Sequence, residues 1–165
     1  MPESIDSYDA RILEVLQENC AISTVELAAR VGLSQAPCWR RLNRLRSEGY
    51  ILREVALVDR AKVGLVTEVF AHVKLSAHGR NNISEFFEAT KVHAQILECH
   101  ILLGTVDALL RVLVRDVHEY ERFYFEHLTR LPGVQEVNSM VALGESKWTT
   151  FVPVKVQARG RAKSA

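Results

Sequence analysis

The stretch LSQAPCWRRLNRLRSEGY, Leu33 to Tyr50, sets Arg40, Arg41, Arg44 and Arg46 among small and amide residues at helical spacing. Guanidinium groups bind phosphate and can pair in bidentate fashion with a guanine edge, and glutamine or asparagine does the same with adenine. The residue set therefore suits recognition of nucleic acid. If Cys38, Leu42 and Leu45 face a core, the opposite face carries Ala36, Arg40, Asn43 and Ser47, flanked by Gln35, Trp39, Arg44 and Arg46. A solvated surface helix usually mixes its charges, whereas Glu48 is the only acid between Glu26 and Glu54. That asymmetry favours a phosphate-facing surface over a plain basic helix in a small interaction domain, an alternative that stays open.

The N-terminal end of this helix carries as much of the chemistry as its arginines. Ser34 and Ala36 are small enough to let the backbone and helix dipole approach a phosphate or a groove floor. Gln35, Arg40 and Asn43 are the expected base readers, and Arg44 is the expected phosphate clamp. Trp39, also placed among the DNA contacts, reads as a wedge against its own domain or the adjacent backbone in preference to a base-stacking residue. Arg41 and Arg46 lie nearer the core flanks, placed to reach phosphates at the edge or to pair with Glu48 or Glu54. Elsewhere, His93, Cys99 and His100 cluster in sequence, but neighbouring strand residues point to opposite faces, so core or interface packing is expected and no metal site. No nucleophile–base pair, paired carboxylates or phosphate loop stands out, so no catalytic residue, enzymatic activity or cofactor is expected.

These residues need elements to hold them. In IDSYDARILEVLQEN, Ile5, Tyr8, Ile12, Val15 and Leu16 recur at helical spacing, with Asp6 or Ser7 placed to cap. STVELAARVG opens with a Ser23/Glu26 capping box and stops at Gly32. Ser34 then caps a new helix that runs to Gly49, with Pro37 at the third helical position and the Ser34 hydroxyl expected on the Ala36 amide. A short helix, a glycine turn and a second capped helix make a helix-turn-helix. YILREVALVD alternates enough to predict a strand or small wing. Beyond it the order reads strand 66–75, helix 82–92, strand 95–103, strand 108–114, helix 117–131 and strand 134–143. An Asp116/Glu119 capping box opens the second of these helices, and Leu131-Pro132-Gly133 stops it. That β-α-β-β-α-β order is the ferredoxin-like split βαβ motif, and a further strand is expected at TTFVPV.

The fold class is therefore α+β: a winged helix-turn-helix over residues 1–52, a linker strand or hinge over 53–65, a ferredoxin-like domain over 66–156 and a basic, disordered tail over 157–165. At 165 residues with a net charge of +1, the chain is no polycationic coating protein, and any nucleic-acid surface comes from local clustering. The three cysteines, Cys20, Cys38 and Cys99, are scattered and odd in number, which points to buried reduced thiols. No apolar run nears the roughly 20 residues of a membrane span, and the start MPESIDSYD lacks the regions of a signal peptide, so a cytoplasmic location is expected.

The segment from Ile5 to Ile51, with its Asp-x-x-Asp-x-x-Ile-Leu opening and Gly-Leu-Ser-x-x-Pro-Cys turn, resembles the N-terminal domain of the leucine-responsive regulatory protein (Lrp/AsnC) family of bacterial and archaeal transcription regulators. ILECHILLGTVDALLRVLVRD and RLPGVQEV are similar to the family's effector domain, and the likeness covers residues 4 to 154. It implies a regulator of double-stranded DNA, acting on the nucleoid, that forms homodimers and higher oligomers such as octamers. Its DNA binding or assembly would respond to an amino acid or related metabolite held between effector domains. The family's effector loop falls on Gly104, Thr105, Val106 and Asp107, and further effector-linked positions fall on Val117, Met140, Val141 and Ala142. Thr105 replaces a residue that is more usually acidic or polar, and Ala108 replaces an aromatic, which implies a roomier, less charged pocket or a vestigial one. A metabolite-binding assembly protein without transcriptional output, and a small enzyme of the same fold, remain the rival readings.

Overall fold

A computed structural model describes residues 5–156, so the expected tail over 157–165 lies outside the described residues. Two compact units emerge, one built from the described residues up to Leu57 together with 147–156, the other from Val58–Ser146.

The first unit is three helices, α1 (Ser7–Glu18), α2 (Thr24–Val31) and α3 (Gln35–Ser47). Asp6 caps α1: its Oδ1 accepts the amides of Tyr8 and Asp9 at 2.9 Å each, and the Asp9 carboxylate accepts the Asp6 amide at 3.0 Å. The Ser23/Glu26 box opens α2, and Gly32, at φ 74°, makes the left-handed turn that ends it. At α3 the expected Ser34 hydroxyl bond to the Ala36 amide is absent, and Ser34 caps through its extended backbone alone. Pro37 at the third helical position removes an N–H that an N-cap hydroxyl normally accepts, and the first helical bond is Cys38 N–H to Ser34 C=O at 3.2 Å. Ile12, Leu27, Ala28 and Val31 bury against the expected stripe Cys38, Leu42 and Leu45. The strand expected after Gly49 does not form. Leu52, Val55, Leu57 and Val58 stay exposed, because alternation makes a strand only where another strand offers hydrogen bonds.

The second unit is β1 (Thr67–Leu75), α4 (Ala77–Asn81), α5 (Ile83–Lys91), β2 (Ile96–Ile101), β3 (Ala108–Val114), α6 (Val117–Glu126) and β4 (Val134–Val141). The strands lie in the order β2-β3-β1-β4 with antiparallel neighbours, the ferredoxin-like arrangement. Val69, Ala71, Val73 and Leu75 of β1 and Ala108, Leu110, Val112 and Val114 of β3 point to one face, where Phe86, Tyr120, Phe123 and Leu128 complete the core. On the other face the buried Glu68 is held by Arg111 and, at 3.0 Å, by Arg60.

Several boundaries differ from the sequence reading. The expected helix over 82–92 is preceded by the one-turn α4, and the helix expected to reach Leu131 ends at Glu126, passing into a 3-10 turn at Leu128–Arg130. The Asp116/Glu119 box is half formed: Asp116 accepts the Glu119 amide at 2.7 Å, but the Glu119 carboxylate takes the Arg115 amide instead, also at 2.7 Å. TTFVPV forms no strand. The segment from Lys147 belongs to the helical unit, where the Gln17 carboxamide donates to Val152 C=O at 3.0 Å and accepts the Val152 amide at 2.6 Å. Among the described residues, no helix is long and apolar enough to cross a membrane.

Candidate nucleic-acid interface and effector positions

At the start of α3, Ser34, Gln35 and Ala36 are exposed, followed along the same side by Trp39 and Arg40. Asn43 sits half-buried one turn on. Trp39 is 55% exposed, so it is not the wedge into its own domain that the sequence suggested. Arg40 makes no ion pair or hydrogen bond with its side chain among the described residues.

The other three arginines are committed to carboxylates. Asp9, only 1% exposed, accepts Arg41 Nη1 on Oδ1 at 2.9 Å and Arg44 Nη2 on Oδ2 at 2.6 Å. Arg41 also donates to Asp6 at 2.7 Å and lies over the Tyr8 ring, while Arg44 Nη1 reaches Glu48 at 3.1 Å. Arg46 pairs with Glu54 at 2.6 Å, one of the options the sequence offered, but Arg41 turns to Asp6 and Asp9 and not to Glu48 or Glu54. Arg44, expected as a phosphate clamp, braces Asp9 in this structure: a carboxylate as buried as Asp9 needs its compensating cations. Desolvation works to raise the Asp6 pKa, but the Asp9 amide and the Arg41 guanidinium outweigh it and hold this carboxyl below the usual range. The hydrogen bond to Asp9 leads the interactions that push Arg41 further up. Asp6 and Asp9 were missed as partners of the α3 arginines. Their three-residue spacing signalled a helix start, and nothing local showed that they would meet arginines more than thirty positions away.

The effector positions divide into two places. Gly104, Thr105, Val106 and Asp107 form the turn between β2 and β3, with Gly104 and Thr105 exposed. Asp107 closes the end of the sheet there. Its carboxylate accepts the Leu75 amide at 2.7 Å, its own amide donates to Val73 C=O at 2.9 Å, and Arg80 approaches to 3.7 Å. Met140 and Val141 pair with Phe70 and Val69 at the opposite end of β1, and the Ala142 amide donates to Glu68 C=O at 2.9 Å. Six residue steps along β1 separate Val69 from Leu75, roughly 20 Å at about 3.3 Å per residue. One chain therefore does not bring the two sets together. Val117, at the start of α6, borders a shallow groove of about 390 Å³ whose other walls include Tyr120, Glu121, Tyr124, Phe125 and Ser139. Tyr120 and Ser139 hydrogen-bond across its floor at 2.5 Å.

Cys99 packs on the core while His100 faces away and pairs with Glu98 at 3.0 Å, the opposed orientation expected of strand neighbours. Among the described residues, no three histidine, cysteine or acidic side chains are placed to hold a metal ion.

Comparison with known proteins assigns both units. A model described as the Lrp/AsnC ligand binding domain matches residues 68–152, and one described as winged helix-turn-helix DNA-binding matches residues 5–51. The chain is 33% identical to the DNA-binding transcriptional activator DecR of Escherichia coli over 151 residues, 92% of this chain and 99% of DecR. It is 37% identical to the proline dehydrogenase transcriptional activator of Rhizobium radiobacter over 147 residues, 89% of this chain and 94% of the activator. Among solved structures, a transcriptional regulator from Neisseria meningitidis in complex with L-Met superposes with a TM-score of 0.87 at 33% identity, over 91% of this chain and 97% of that one.

Proposed function

The chain belongs to the Lrp/AsnC family of DNA-binding transcription regulators, and from that premise we propose how it reads DNA and where its effector binds. The N-terminal end of α3 enters a major groove, with Gln35, Arg40 and Asn43 on base edges. Ser34 and Ala36 bring the helix end close to a phosphate, and Trp39 lies against the backbone. Arg44 leaves the contact set. The observation that carries this reading is Arg40, exposed on the face of α3 that points away from its core and engaged by no carboxylate among the described residues. Binding of the full chain to its own upstream duplex, followed by fluorescence anisotropy over a salt series, tests it. The wild type forms a salt-sensitive, sequence-preferring complex, and an unchanged affinity in Arg40→Ala at every salt concentration removes Arg40 from the interface.

The effector reading rests on the second unit and acts by binding, with no reaction or cofactor of its own. The Neisseria relative was crystallised with L-Met. For this chain we propose an amino acid or close analogue, held where copies meet. The Gly104–Asp107 turn of one copy and the Val117 groove of another supply the walls that a single chain leaves far apart. Leu97, Ile101, Met140 and Val141, exposed on the sheet unit, suit burial against a second copy, so the active species is a homodimer or a higher assembly such as an octamer, working on the nucleoid. A thermal-shift screen of amino acids checks this, because a ligand that binds only the folded chain raises its apparent stability. Thr105→Trp and Val117→Trp each abolish the shift, and a shift that survives both variants places the site elsewhere.

A further inference from the structure

The reading helix is far less basic in its surroundings than in its sequence. On the flank of α3 that faces the start of α1, two guanidinium groups, Arg41 and Arg44, meet three carboxylates, Asp6, Asp9 and Glu48, at 2.6–3.1 Å. Among the described residues these five groups sum to one negative charge. Asp9 is 1% exposed, and among the described residues these two arginines are the cations that compensate it, beside the Asp6 amide at 3.0 Å. A DNA phosphate could recruit Arg44 only by stripping part of that compensation from a buried anion, which costs more than a surface contact returns.

We propose that Asp9, supported by Asp6 and Glu48, is a specificity-determining residue of DNA binding. It holds Arg41 and Arg44 away from phosphate and so suppresses sequence-independent attraction, leaving recognition to Arg40 and the amide residues of the α3 face. Phosphate contacts raise affinity for every sequence alike, whereas base contacts discriminate. An internal anion that occupies two of the four arginines therefore lowers binding to random DNA without touching the base readers. This inference rests on α3 being the DNA-reading helix.

The test uses the full chain, its own upstream duplex and a shuffled duplex, titrated between about 50 and 200 mM salt, where each added phosphate contact steepens the loss of affinity by about threefold. Asp9→Asn keeps the side-chain shape and an acceptor oxygen for the Asp6 amide but removes the charge that holds both arginines, leaving Arg41 only Asp6 and Arg44 only Glu48 among the carboxylates described. It should steepen the salt dependence by one or two such contacts and strengthen binding to the shuffled duplex more than to the upstream one, narrowing the ratio between them. Arg44→Gln leaves the salt slope of the wild type unchanged but cancels most of the gain in the Asp9→Asn background. A merely structural role for Asp9 moves stability and not the slope, so an unchanged slope in a folded Asp9→Asn chain overturns the proposal. So does equal loss of binding to both duplexes.

Glu48→Gln, at an exposed position, covers the case in which Asp9→Asn does not fold, and a smaller steepening is expected of it. A flat response there, combined with a shallower slope for Arg44→Gln in the wild-type background, would show that Arg44 already contacts phosphate and would likewise overturn the proposal. Failure of the wild type to bind any duplex would instead remove the DNA-reading assignment of α3.

Discussion

Arg40 and Arg44 stand one helical turn apart with identical side chains and opposite surroundings, so their replacement should separate function from stability. Arg40→Ala should cost about 1–3 kcal/mol of binding to the preferred DNA and relax specificity at one base position, with no change in thermal unfolding. Arg44→Ala should do the reverse. Chemical denaturation should show a loss on the order of 2 kcal/mol, below the usual cost of orphaning a buried ion because Arg41 still holds Asp9. A titratable prediction lies in the other unit, where the His93 ring packs 5.4 Å from Phe123 and 4.8 Å from His127. Burial first, and then His127, pull the His93 pKa below its ordinary value, so the folded chain favours the neutral imidazole. As pH falls through about 6.5 the unfolded chain takes up this proton first, and stability declines from there toward the lower folded pKa. Unfolding followed between pH 5 and 8 should show that decline, reduced in His93→Gln. Helical periodicity placed each arginine of α3 on its face, but not its partner, because Asp9 reaches that flank only once three helices have packed.

Among the elements, those with strong local signals agree closely with the structure. The Ser23/Glu26 box, Gly32 and the strand over 66–75 were all legible, since the forces that set them act within a few residues. The failures share a cause. Residues 50–59 and 149–154 alternate or carry β-branched side chains, yet find no strand to pair with, and α6 stops at Glu126 where tertiary packing draws Leu128 and Leu131 into the core through a 3-10 turn. Gly79 and Gly133 show the same limit. A Cβ added at Gly79 would stand 2.6 Å from the Gly133 carbonyl oxygen, and Gly133 also holds φ 75°. Backbone thus touches backbone where α4 crosses the turn before β4, a contact that no local pattern announces. Gly133→Ala should lose more than the roughly 1 kcal/mol of an ordinary glycine replacement, with a depressed melting temperature, because it combines a left-handed backbone with a clash that neither segment can relieve by rotating a side chain.

For the molecule as a whole, the order of elements disclosed the two folds, while the Gln17 clamp ties the segment around Val152 to the helical unit. Gln17→Ala should leave α1–α3 folded while hydrogen exchange at the Val152 amide rises toward that of an unprotected residue. On the proposed reading the effector site forms on assembly, since the turn at Gly104–Asp107 and Val117, three residues past the end of β3, lie near opposite ends of one sheet. If a pocket forms between copies, mixing Thr105→Trp with Val117→Trp chains should restore ligand binding at about a quarter of the sites, the fraction in which an intact turn meets an intact groove. No recovery would argue for a site within one chain. The central claim is that α3 reads sequence through its exposed face, and selection of preferred sites from a pool of random duplexes tests it most directly. The wild type should enrich a pseudo-palindrome with half-sites about one helical turn, or a multiple of it, apart, and Arg40→Ala should enrich the same motif with one position per half-site degenerate. Recovery of no motif by the wild type, or of an identical motif by Arg40→Ala, would contradict it.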